Sequence, residues 1–418
     1  MRDGTNTGLT PEAAQSPDAK VASLDVYRGF VIATMVFVNY LAGIKDIPAW
    51  AKHMPADVDG LTFVDVVFPG FLFIVGVAIP LSLNKRLARG DSVGRLLVRI
   101  GVRTAGLLFI GVILVNGEGD AFSSEATGMS KPLWYLLALL CVVALWSTHP
   151  TRAPTLVKVV SFALRLAALA VLAYLVVIFR RANEKGHITW FQTEWWGILG
   201  LIGWAYLACC ICYLLCRGNS TALMGILGLM IALYTASKEG GLDRLEVVTK
   251  YVSVGEVFGS LAAIVMAGLL VGNGLPGGPS ARSAAAQMRF TLFLGVGLLA
   301  AGLLLRPLHG GISKIHGTES YALVSSGICA LLYLPFYYSI DVQGWSHETR
   351  FLGTVGSNAL LAYLLPDILS FLLDVLGKGE VLWPYRSGSP GAVNAAVVTV
   401  LIMCLTWVFT KVGIRLRL

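Results

Sequence analysis

Charge is what this chain has least of. Charged side chains make up 13% of its 418 residues, against about 25% in a soluble globular domain. Hydrophobic residues make up 56%, and the mean hydropathy is +0.73. That balance excludes the soluble enzyme classes and points to a polytopic membrane protein. No basic tract interleaved with aromatics occurs, and the net charge of +8 is small for the length. Nucleic acid is therefore not an expected partner; the excess suits the anionic face of a lipid bilayer. A secretory leader needs an apolar run of about 7–15 residues behind a basic start, and the opening segment has none. Residues 1–22 read as a disordered cytoplasmic tail, so the first apolar helix is expected to direct insertion. The seven cysteines lie mostly inside apolar runs. Cys209, Cys210, Cys212 and Cys216 are closely spaced, but a buried thiol behaves as a small apolar group. Metal ligation needs thiolates, which nothing nearby favours, so no metal is expected.

What is present is a series of apolar runs long enough for membrane helices, roughly twelve by the twenty-residue criterion. They cover Leu24–Ile44, Leu61–Leu83, Leu96–Val115, Pro132–Ser147, Leu156–Phe179, Trp195–Cys216, Ala222–Ala236, Val254–Gly272, Arg289–Leu305, Tyr321–Ile340, Val355–Leu376 and Val393–Thr410. The expected fold is all-α and polytopic, with about 10–12 transmembrane helices by that criterion. A single domain is expected over residues 23–418, with extra helices in 151–249. Alternate loops carry Lys85, Arg86, Arg89, Arg95, Arg99, Arg152, Arg217, Arg282, Arg415 and Arg417. The loops between them mix cations with acids such as Glu118, Asp120, Glu125, Glu239 and Asp243. By the positive-inside rule both termini are expected in the cytoplasm; Arg180, Arg181 and Lys185 run against it.

Ionisable groups next to lipid are costly and mark function, and they concentrate between Ser23 and Ser82. His53 is the one histidine of the first loop and has the side chain best suited to proton transfer near neutrality. It is also a competent nucleophile, or simply a solvated loop residue. Asn39, near the end of the first helix, fits an oxyanion donor or a helix–helix hydrogen bond. Asp65 follows Thr62 by three and fits a capping box or a carboxylate that orients His53. Asp25 and Arg28 share a helix face and read first as an ion pair, with Arg28 also available to an anion. Arg95, Arg99 and Arg103 recur every fourth residue and form one basic stripe suited to phosphate. Lipid snorkelling explains the first two equally well and Arg103 poorly. Lys314, Thr318, Ser320 and Asn358 are later polar candidates. His149, His187 and His309 read as surface residues.

Several motifs in order carry a resemblance. The first helix opens Asp25-Val-Tyr-Arg28-Gly-Phe and closes with Met35 to Tyr40 (MVFVNY). A loop histidine follows, then Gly60 to Gly76 (GLTFVDVVFPGFLFIVG). Later come Gly259 to Met266 (GSLAAIVM), Lys314 to Tyr321 (KIHGTESY), Asp341-Val-x-Gly, and Gly356-x-Asn358. These resemble the transmembrane acyltransferase family of the heparan-α-glucosaminide N-acetyltransferases, including its bacterial glucosamine-acetylating branch. The resemblance covers most of the chain apart from 151–249. The chain departs from the pattern after His53, where the loop is two residues longer and lacks a tryptophan, and at Gly317, which replaces another tryptophan.

The resemblance implies transfer of an acetyl group from cytoplasmic acetyl-CoA to the amine of glucosamine or a related amino sugar across the membrane. It implies a multi-pass protein of the bacterial inner membrane, acting as a homodimer. His53 would be catalytic, with Asn39 and Asp65 beside it. Arg28, Arg95, Arg99 and Arg103 would serve acetyl-CoA; Lys314, Thr318, Ser320 and Asn358 would serve the acceptor. An O-acyltransferase of a periplasmic glycan and an amino-sugar transporter remain the alternatives.

Overall fold

A computed structural model describes residues 21–117, 119, 121–148, 155–182, 186–245, 249, 251–345, 347 and 349–416. Nearly all of the expected tail, His149, and the loop charges Glu118, Asp120, Arg152, Lys185 and Arg417 lie outside these residues. The helices are α1 Ala22–Ala42, α2 Phe63–Ala88, α3 Val93–Val115, α4 Lys131–Trp146, α5 Leu156–Ile178, α6 Gly197–Cys216 and α7 Ser220–Lys238. They continue with α8 Gly255–Asn273, α9 Ala284–Leu305, α10 Glu319–Val342, α11 Arg350–Gly356, α12 Ala359–Val375 and α13 Gly388–Val412. Among the described residues ten are long and apolar enough to cross a bilayer, and an eleventh span results if α11 and α12, bent by 80°, count as one. Each of the twelve apolar runs falls on this set, so the all-α polytopic reading holds. The fourth run forms a helix of 16 residues, about 24 Å long, short of a hydrocarbon core of about 30 Å.

The chain clusters into two compact units. The first comprises α1 through Val31, Ala49–Thr104 and Leu201–Gly353. At its centre lies α8, buried at every position from Ala262 to Asn273. Glycines allow α8 to approach α2: a Cβ on Gly76 would overlap the Val265 carbonyl, and one on Gly268 or Gly272 would overlap the carbonyls of Phe73 and Val77. Small residues spaced by four are how membrane helices pack without a hydrophobic driving force. The start of α1 is capped from a distance. Asp341, at the end of α10, accepts from the Ala22 and Ser23 amides at 3.0 and 3.2 Å and from the Ser23 hydroxyl at 2.5 Å. A carboxylate there satisfies orphan N–H groups and complements the helix dipole.

The second unit comprises Ile32–Pro48, Ala105–Gly200 and Thr354–Leu418. Its α4 and α5 meet around Trp134, whose indole donates to the Leu175 carbonyl at 3.0 Å. Phe122, Tyr135, Phe179 and Phe191 pack around the same ring. Ser147–Thr148 pairs with Arg415–Leu416 as a two-residue antiparallel ladder.

Candidate active site

The site grows from the first turn of α2. Phe63–Val66 is a 3₁₀ turn with Thr62 as its cap. Asp65, the third residue of that turn, is fully buried. Its Oδ2 accepts from the amides of Thr62 and Met54, each at 3.1 Å. The Thr62 hydroxyl, 3.1 Å from the same oxygen, also reaches the Lys52 carbonyl at 2.8 Å. The backbone carbonyl of Asp65 accepts from the buried Tyr321 hydroxyl at 3.1 Å. This leaves Oδ1, which lies 2.7 Å from His53 Nδ1. Capping and orienting are thus not alternatives for Asp65: one oxygen does each.

An ionised carboxylate only accepts, so this contact places the proton of a neutral His53 on Nδ1 and leaves the Nε2 lone pair free. The His53 side chain is 45% exposed, so that lone pair is open to a reactant. Lys314, from the loop before α10, brings its ammonium to 3.1 Å from Nδ1 and 3.4 Å from Nε2 of His53, and to 4.0 Å from Asp65 Oδ1. Near-equal distances put Nζ between the ring nitrogens rather than along either lone pair. Burial pushes the Lys314 amine below its ordinary value, and the Asp65 charge works against that shift.

Three further contacts tie the His53 loop to the Lys314 loop. Asp59 Oδ1 accepts from the Ile312 amide at 2.7 Å, and Oδ2 accepts from Arg306 Nε at 2.8 Å. The Gly60 amide donates to the Ile312 carbonyl at 3.0 Å. These contacts, the Ile312 amide foremost, hold the Asp59 carboxyl below the usual carboxylate range. Asp59 belongs to the lengthened stretch after His53, so the departure from the family pattern has a structural use.

The other candidates separate into groups. Thr318 and Ser320 are fully buried and committed to backbone. The Thr318 hydroxyl donates to the Gly311 carbonyl at 2.8 Å and accepts from the amides of Ser313 and Tyr321; Ser320 donates to the Gly302 carbonyl at 2.7 Å. Both shape the loop that carries Lys314. Asn358 is in the second unit, where its amide group donates to Thr410 Oγ1 and the Ile414 carbonyl and its oxygen accepts from the Leu416 amide. It anchors the C-terminal segment. Asn39 also belongs to the second unit and is exposed.

Arg28 donates to Asp25 at 3.0 Å, the expected i, i+3 pair. Arg95 pairs with Asp91 at 3.0 Å, and Arg99 is exposed. Arg103 lies with its guanidinium 4.7 Å from the centre of the Tyr206 ring, and its Nε is buried without a hydrogen-bond partner among the described residues. A buried N–H left open on a guanidinium fits an acceptor such as phosphate. Among the described residues no group of three or more His, Cys, Asp or Glu is arranged to hold a metal ion. Cys209 packs as a buried residue, its thiol 3.3 Å from the Ala262 carbonyl.

His309 corrects the surface assignment. Its side chain is only 15% exposed and sits between Glu319 and Glu239. Nothing local signalled this, because the partners lie 10 and 70 residues away.

Residues 20–254 match a protein family described as "Domain of unknown function (DUF5009)". Heparan-alpha-glucosaminide N-acetyltransferase of Mus musculus is 40% identical over 115 residues, 27% of this chain and 17% of that protein. The Homo sapiens protein of the same name is 45% identical over 98 residues, 23% of this chain and 14% of that protein. The chain thus aligns with less than a fifth of the length of these curated relatives. It is a multi-pass membrane protein partly homologous to an N-acetyltransferase, and with more than half of its length matched it belongs to the DUF5009 family.

Proposed function

We propose that the protein is an acetyl-CoA-dependent N-acetyltransferase whose acceptor is the amine of glucosamine or a related amino sugar. The observation that carries this reading is the buried Asp65 carboxylate 2.7 Å from Nδ1 of a half-exposed histidine. That arrangement holds a base or nucleophile in one tautomer. In direct transfer the amine nitrogen attacks the thioester carbonyl and its proton passes to His53 Nε2. The CoA thiolate leaves, and His53 returns the proton to it. In a two-step route the same Nε2 attacks the thioester first and expels the CoA thiolate; the acceptor amine then attacks the acetyl carbon, neutral His53 leaves, and the amine's surplus proton passes to the thiolate. Both routes need the lone pair that Asp65 preserves. Lys314 then neutralises developing negative charge beside the ring.

The donor's phosphates are assigned to Arg95, Arg99 and Arg103, with Arg28 near the same end of the first unit. Arg103 supports this through its open Nε. The α2 helix separates the two halves of the reaction. Asp65 is at its start, and the turn leading to Arg95 follows its end at Ala88, about 35 Å away at the rise of an α-helix. Donor and acceptor are accordingly proposed on opposite faces of a bacterial inner membrane, with both termini on the donor face by loop charge. The homodimer is carried over from the family resemblance alone.

The test is acetyl transfer from labelled acetyl-CoA to glucosamine by membranes containing the protein. His53→Ala is expected to abolish it, and near-normal activity in that variant overturns the assignment. Label trapped on His53 without acceptor selects the two-step route. Transfer only to a glycan hydroxyl changes the acceptor, and sugar uptake without acetyl-CoA replaces the enzyme with a transporter.

A further inference from the structure

Away from His53 the first unit holds a second histidine–carboxylate assembly. His309 lies in the loop between α9 and α10. Its Nδ1 is 2.6 Å from Glu319 Oε1, and its Nε2 is 3.1 Å from Glu239 Oε1. Glu319, the first residue of α10, is fully buried, and its Oε2 has no hydrogen-bond partner among the described residues. Glu239 follows the end of α7 and is 74% exposed. A neutral imidazole has one N–H, so it donates to one carboxylate and turns a lone pair on the other. An imidazolium donates to both.

The backbone adds a second observation. His309 has φ +45°, followed by Gly310 at +85° and Gly311 at +83°. Left-handed geometry is uncommon for a residue with a Cβ, although His adopts it more readily than most, so the chain turns sharply at the residue that carries the imidazole. The groups around it are few. The Tyr234 ring meets the imidazole edge-on at 6.1 Å, and its hydroxyl donates to the His316 carbonyl at 3.1 Å. Lys238 is 5.3 Å from that ring and is paired with Glu256 at 3.3 Å. On the same loop Arg306 is paired with Asp59, and Lys314 is at His53. The two carboxylates, Glu319 first, raise the His309 titration above its ordinary value.

We propose that His309 is a proton-dependent positioning residue: as an imidazolium it ties the 306–318 loop to α7 and α10, and so sets Lys314 against His53. Loss of its proton releases Glu239 and loosens the loop. The direction follows from linkage. A histidine raised above its unfolded value of about 6.5 gives its full stabilisation below that pH and loses it as pH rises through the folded value. The effect on Lys314 as a catalytic partner rests on the acyl-transfer reading; the loop's response to pH does not.

The test is hydrogen exchange, read by mass spectrometry on full-length protein in detergent from about pH 5.5 to about pH 9, corrected for intrinsic exchange, across the histidine range. Protection of the 306–318 segment is expected to fall as pH rises, with a midpoint above about 6.5. Glu239→Gln should lower that midpoint, because it removes one opposite charge. His309→Gln should flatten the profile. A pH-independent loop in the natural protein, or an unmoved midpoint in Glu239→Gln, overturns the proposal. Glu239 is exposed, so its variant decides the matter even where His309→Gln does not fold. Acetyl transfer measured on the same samples separates the two readings. PH-dependent protection without transfer at any pH sinks the acyltransferase alone, and transfer with a pH-independent loop sinks the clamp alone.

Discussion

Asp65→Asn switches the tautomer of His53 while keeping the cap of α2, and it also removes the charge that lies 4.0 Å from the Lys314 ammonium. Asparagine has the same shape but only one acceptor oxygen. Two backbone amides, from Met54 and Thr62, converge on Oδ2 at 3.1 Å. The amide oxygen must take that side, because an NH₂ there would face two donors across a buried contact, and each unsatisfied buried donor costs about 1–3 kcal/mol. The NH₂ therefore faces His53 Nδ1, where Oδ1 stood at 2.7 Å. Nδ1 then becomes the acceptor, the ring proton moves to Nε2, and the lone pair leaves the reactant side. General-base catalysis contributes about 10²–10⁴-fold, so kcat is expected to fall by that factor, about 2.7–5.4 kcal/mol of transition-state stabilisation. The fold should survive, because both capping bonds survive. Asp65→Ala would lose them and confuse folding with chemistry. The assay is initial-rate acetyl transfer on purified protein, with thermal unfolding measured alongside. Activity of Asp65→Asn within threefold of the natural protein, at unchanged thermal stability, would refute the argument.

Three further outcomes follow from the same geometry. Gly76→Ala should destabilise the first unit by about 1–3 kcal/mol through overpacking, since its Cβ meets the Val265 carbonyl. Gly94→Ala, inside α3 with nothing within 4 Å, should be neutral or stabilising by up to about 1 kcal/mol in the same melt. Arg103→Gln should raise KM for acetyl-CoA more than Arg99→Gln does, because Arg103 presents a buried, open Nε while Arg99 is exposed; equal effects would return the stripe to lipid snorkelling. Asp59→Asn should cost about 0.2–1 kcal/mol, the range for exposed pairs. The Asp59 carboxyl is held below its ordinary value, so its stabilisation is present above about pH 3.9 and fades as pH falls through the lower folded value. Acid melts of the two proteins should therefore converge.

The local layers were legible in the sequence. Helix positions depend on continuous apolar length, a property of neighbours along the chain, and the runs found α1 to α10 and α13 with only the ends displaced. The Asp25–Arg28 pair and the Thr62–Asp65 cap lie within one turn, so spacing predicted the first and offered the second as one of two readings of Asp65. The pairing of His53 with Asp65, 12 residues apart, was also within reach, because the loop between them is short and α2 fixes one end. The break between α11 and α12 was not visible, because that stretch reads as one apolar run.

What only the tertiary structure decided is every contact made across long stretches of chain. Lys314 reaches His53 over 261 residues, and Asp341 caps Ser23 over 318. Asp59 and Arg306 are 247 residues apart, and Glu239 and His309 are 70 apart. No periodicity encodes such pairs, because each depends on which helices lie side by side. In a bilayer nearly all of the helices are equally apolar, so that choice rests on close fits such as Gly76 against α8 rather than on hydrophobic pattern. The sequence by itself determined that this is a membrane helix bundle, and it offered the pairing of His53 with Asp65 as one of two readings. The packing of glycine-lined helices decided that a lysine from the far half of the chain would complete the site, and that a second histidine would stand between two glutamates.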